Sequence, residues 1–91
     1  MTSENDIFFW TDRAGVAYCR LRRRGGHWRV EWGHRQPPGG DNFMERGRHE
    51  TSVQTEAVSL MLDRVRELST EPDEAERVAI RLTEALAETA S

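Results

Sequence analysis

The stretch VAYCRLRRRGGHWRVEW, from Val16 to Trp32, decides how this chain folds. Two runs of alternating apolar and polar residues meet at Arg24-Gly25-Gly26, and paired glycines supply the positive φ angles that a tight hairpin needs. Strand side chains point to opposite faces in turn, so Ala17, Cys19 and Leu21 fall on one side with Trp28, Val30 and Trp32. Tyr18, Arg20, Arg22, His27, Arg29 and Glu31 then fall on the other.

Working outward, Ile7 to Thr11 is aromatic and β-branched, and Asp12-Arg13-Ala14-Gly15 reads as a turn into a second strand over Val16 to Arg22. His27 to Trp32 is the third. Residues 33–42 are expected as a loop, because Pro37-Pro38-Gly39-Gly40 cannot hold a hydrogen-bonded ladder. Phe43 to His49 is a further strand of poor propensity. If Phe43 points inward, Met44, Arg46 and Arg48 point outward and Glu45 is turned toward the core.

Beyond residue 50 the period changes from two to 3.6. Thr51 or Ser52 is placed to cap a helix over 52–69, with Gln54 completing a capping box and Val53, Ala57, Leu60, Met61, Val65 and Leu68 as its apolar stripe. Thr70-Glu71-Pro72-Asp73 carries a cap, an early proline and first-turn acids, starting a second helix over 72–89 with Ala75, Val78, Ala79, Leu82 and Leu86 as its stripe. The expectation is a single α+β domain over 1–91: a three- or four-stranded antiparallel sheet within 7–49, followed by two helices packed on one face.

Composition limits what such a domain does. At 91 residues the chain buries roughly 60–65% of its unfolded surface, which leaves little volume for an enclosed active-site cleft. One cysteine, Cys19, closes no intrachain disulfide. All thirteen basic residues are arginine, which excludes Schiff-base lysine chemistry and the lysine of a phosphate loop. The longest apolar run, Ile7 to Trp10, is far short of a membrane span, and no basic region precedes a signal core. We expect a soluble cytoplasmic protein with no membrane partner. Cys19, His27, His34 and His49 match no zinc-site spacing, so no metal or other cofactor is assigned. No spacing selects a nucleophile with a base or a carboxylate pair, so no catalytic residue is assigned and the chain is read as not an enzyme.

Charge is distributed unevenly. Residues 12–49 hold nine arginines against four acids, and residues 51–91 hold four against nine. Strand alternation would gather Arg20, Arg22, Arg29, Arg46 and Arg48 with Tyr18 on one exposed sheet face, against Glu31 as its lone acid. Guanidinium groups in that density fit phosphates and base edges.

Residues 16–68, with two strands flanking a glycine turn, Trp28 early in the second of them, Phe43 opening a third and a Thr-capped helix, resemble a known DNA-binding layout. It is the three-stranded-sheet-plus-helix fold of the arm-site-binding domains of phage-type tyrosine recombinases and of plant ethylene-response factors. The resemblance implies a sheet that enters the major groove, with Arg20, Arg22, Arg29, Arg46 and Arg48 contacting DNA and Trp28 packed near that surface. The second helix has no counterpart in that layout. The leading expectation is a small non-enzymatic regulatory DNA-binding module of phage or mobile-element type. With about five phosphate contacts, its salt dependence would have a slope of roughly −4 to −5. The competing expectation is a phage-like protein-binding adaptor or inhibitor without nucleic-acid contact, acting through the basic sheet or the acidic second helix. A homodimer is a further expectation for so small a core.

Overall fold

The computed structural model describes residues 5–89; residues 1–4 and 90–91 of the expected 1–91 domain lie outside them. Four strands, β1 (Asn5–Thr11), β2 (Ala17–Arg24), β3 (His27–Arg35) and β4 (Phe43–Thr51), form an antiparallel sheet in the order β1-β2-β3-β4. Two helices follow, α1 (Gln54–Leu68) and α2 (Glu74–Thr89). The fold is α+β, with the sheet four-stranded. The central hairpin pairs Arg24 with His27, Leu21 with Val30 and Cys19 with Trp32, and Gly25 takes a φ of 59° in its two-residue loop. At the other end of β2, Asp12 Oδ1 accepts the N–H groups of Val16 and Ala17 at 2.8 and 3.0 Å, which closes the β1–β2 turn.

Both helices cover the face that carries Trp10, Ala17, Cys19, Leu21, Trp28 and Val30. Helix α1 lies over β2 and β3 and buries Ala57, Met61 and Val65; α2 lies against α1 and over β1, burying Ala75, Val78 and Leu82. Those six residues are the centres of the two expected stripes, each repeating at three or four residues. The Trp10 indole N–H donates to Glu74 Oε1 at 2.9 Å, tying β1 to the first turn of α2. That bond and the stronger one from Arg77 hold the Glu74 carboxyl below its ordinary range.

Several boundaries differ from expectation, each for a local reason. β3 runs on to Arg35 instead of ending at Trp32, so the loop is residues 36–42. Gly33 permits this, since a Cβ there would collide with the Met44 carbonyl of β4. The capping box does not form. Thr51 is the last ladder residue of β4, opposite Trp28, and its Oγ1 accepts the Val53 N–H at 3.1 Å. Val53 therefore becomes an extended N-cap with no side-chain bond, out of phase with the buried stripe and half exposed. α2 begins at Glu74, after Ser69 Oγ has accepted the Glu71 N–H in the connecting turn.

The poor propensity of β4 is explained by what lies against it. The Trp32 indole packs against Gly47, where a Cβ would sit 2.6 Å from Trp32 Cζ2, and the Arg64 guanidinium of α1 lies 5.4 Å from that ring's centroid. His49 Nε2 and Glu56 Oε1, 3.0 Å apart, join β4 to α1. β4 is held by its ladder, by Trp32 and by this contact, and needs no large inward side chain of its own.

Candidate functional site

Among the described residues, no helix covers the opposite face of the sheet. Its middle is Glu31, only 4% exposed, which lies opposite Arg20 on β2 and Arg48 on β4. Arg20 donates to Glu31 Oε1 from Nη2 at 2.9 Å and from Nε at 3.3 Å. Glu31 Oε2 takes Arg22 Nη1 at 3.4 Å and lies 3.5 Å from Arg29 Nη1. Burial alone would raise this carboxyl's pKa, but the bonds and charges of Arg20 and Arg22 outweigh it and hold the group ionised below its ordinary range. Arg22 and Arg29 face each other directly across the β2–β3 ladder, an arrangement of like charges that is unfavourable without a bridging anion. Glu31 is that anion. It sits beneath three guanidinium groups that are more exposed than it is, and so fixes their positions. Two exposed acids stand at the rim: Asp6 Oδ1 lies 2.9 Å from Arg22 Nε, and Glu50 Oε1 accepts from Arg29 Nε at 3.1 Å.

Toward the other end of the same face the surface becomes aromatic. Phe9 and Phe43 are 43% and 37% exposed, with ring centroids 5.8 Å apart and planes at 81°. Both rest on Tyr18, which is stacked with Phe9 and edge-on to Phe43 at 5.0 Å. The Arg35 guanidinium lies 5.4 Å from the Phe43 centroid and 5.9 Å from that of Phe9. Arg20, bonded to Glu31 on one side, lies 5.7 Å from the Phe43 centroid on the other. The arginine cluster and the aromatic pair are therefore one continuous surface, with Arg20 as the joint.

Arg20, Arg22, Arg29 and Arg48 share this face, as the alternation predicts. Arg46 does not. β4 carries a bulge: Trp32 pairs with Gly47 and Gly33 with Glu45, leaving Arg46 as the extra residue. Arg46 Nε instead donates at 3.2 Å to Nδ1 of His34, whose ladder partner Ala17 belongs to the core side. The same bulge shifts the pleat, so Phe43 and Glu45 lie on the open face and the expected inward Phe43 is corrected. Tyr18 is on the predicted face but is not a surface residue: at 1% exposure it is the floor under two phenylalanines, and burial raises its pKa. The expected five arginines against one acid become Arg20, Arg22, Arg29, Arg35 and Arg48 against Asp6, Glu31, Glu45 and Glu50. Sequence reasoning left out Phe9, Phe43 and Arg35. Alternation through Phe8, Phe9 and Trp10 marks Phe9 as facing away from its neighbours, and the inward Glu45 was a sign that the β4 parity was wrong.

Cys19 is fully buried, and burial pushes its thiol pKa up to about 12. Among the described residues no three His, Cys, Asp or Glu side chains gather as a metal site would require, and no helix is long and apolar enough to cross a membrane. No protein-family model, no curated protein and no solved structure matches the chain.

Proposed function

We propose that the protein is a small non-enzymatic regulatory module, of the kind carried by phages and mobile elements, that contacts nucleic acid through the open face of its sheet. The observation that carries the reading is the group of Arg20, Arg22 and Arg29 held over one buried carboxylate, on the face opposite the one that α1 and α2 cover. A guanidinium that is already positioned loses less conformational entropy when it meets a phosphate than a free one. The rim pairs with Asp6 and Glu50 involve carboxylates about 60% exposed, and such pairs contribute only about 0–1 kcal/mol, so an incoming phosphate can displace them.

A second reading, a protein partner, is favoured by one feature: four acids stand among the five arginines, and aromatic residues with arginine are the usual anchors of protein interfaces. Anisotropy titration of labelled random oligonucleotides at low ionic strength, followed by salt back-titration, separates the two. The acids that remain should bring the slope of log affinity against log salt to about −2 to −3, shallower than five free arginines would give. Arg48→Ala should flatten it by about one unit, while Arg46→Ala leaves it unchanged. Absence of binding at low salt would remove the nucleic-acid reading and leave the protein partner.

A further inference from the structure

Resting on that reading, we infer that the ligand is a single-stranded nucleic acid, with a base stacked on one of the exposed, mutually perpendicular Phe9 and Phe43 rings and against the edge of the other, and its backbone phosphates on Arg20, Arg22 and Arg29. Width is the first argument. Strands in a sheet are about 4.8 Å apart, so the outer strands of four lie roughly 14–15 Å apart before any side chain is added. The major groove of B-form duplex is about 12 Å wide. A four-stranded face does not enter it broadside, whereas an unpaired strand can lie across the sheet.

Aromatic chemistry is the second argument. Bases in a duplex already stack on each other, and a side-chain ring gains a base only from a strand that is unpaired or opened. Phe9 and Phe43 present ring surface to solvent on a floor made by Tyr18, so their positions are set before any ligand arrives. Continuity is the third. Arg20 touches both the Phe43 ring and the Glu31 carboxylate, so a nucleotide whose base lies on the phenylalanines has its neighbouring phosphates over Arg20 and the two arginines beyond it. Stacking platforms combined with a cationic track are the means by which proteins hold single strands with little sequence preference.

The test uses the full chain and three labelled probes of one random sequence: single-stranded DNA, single-stranded RNA and the blunt DNA duplex. The variants are Phe9→Leu and Phe43→Leu, which keep apolar bulk over Tyr18 and remove the ring, with folding verified by circular dichroism and melting. Single strands should bind about ten-fold or more tightly than duplex, and each variant should lose about 5- to 100-fold on single strands with little change on duplex. Similar behaviour of DNA and RNA fits the shared chemistry of base and phosphate; a preference for one identifies the source. Duplex bound as tightly as single strand, with both variants unaffected, would overturn this inference and leave the nucleic-acid reading standing. No binding to any probe would overturn both.

Discussion

Replacing Glu31 with glutamine is the sharpest test of how the open face is built. The amide has the same shape, but it removes the buried anion at the centre of this face and turns an NH2 group toward guanidiniums. Removing one partner of a buried ion pair costs about 3–5 kcal/mol when the charge left behind stays buried. Here the stranded arginines keep roughly a fifth of their side-chain surface in water and retain Asp6 and Glu50, so the expected loss is smaller, about 2–3 kcal/mol. For a domain of this size that lowers Tm by roughly 8–24 °C. The pH dependence gives the sign. The Glu31 pKa is lowered in the folded state, so its contribution is fully present above the unfolded carboxylate pKa, about 4.3, and is lost as pH falls through the folded value. The stability difference between wild type and Glu31→Gln, from urea melts at a series of pH values, should be flat above about pH 5 and shrink toward zero in acid. A difference that does not change with pH, or a loss below about 0.5 kcal/mol at neutral pH, would refute the account of Glu31 as the charged centre of the face.

Two further predictions concern the covered face. Gly47→Ala places a Cβ 2.6 Å from Cζ2 of Trp32, and the indole is held from above by Arg64, so overpacking should cost about 1–3 kcal/mol and shift tryptophan emission; an unchanged melt would show that the indole can slide. Cys19, fully buried and with its pKa raised to about 12, should react with a thiol reagent at neutral pH no faster than the chain unfolds, whereas prompt stoichiometric labelling of the native protein would contradict its position in the core.

What was legible in this chain is what strict periodicity controls. The Val16 to Trp32 hairpin, with Leu21 and Val30 fully buried and Arg20, Arg22 and Arg29 opposite, follows from alternation alone. So do the buried residues of α1 and α2, because a 3.6-residue stripe tolerates an error of one or two residues at its ends. The misplacements arise where one residue breaks a count. An extra Arg46 in β4 exchanges the faces of everything before it, which moved Arg46 away from the arginine cluster and brought Phe43 and Glu45 onto the open face. Nothing in the identity of Arg46 announces a bulge; the signal lay in its neighbours, where Gly33 and Gly47 each leave room for a backbone or an indole that no side chain could share. Charge balance was illegible for a different reason. Summing arginines along 12–49 treats each as free, whereas the face is set by which acids the ladder brings opposite them, and Asp6 and Glu50 lie outside that window. The chemistry of the surface therefore depends less on how many arginines the sheet carries than on the depth of one carboxylate. Glu31 lies below the guanidiniums, which stay more exposed than it is, whereas an acid at the same position but level with them would stand on the outer surface between them.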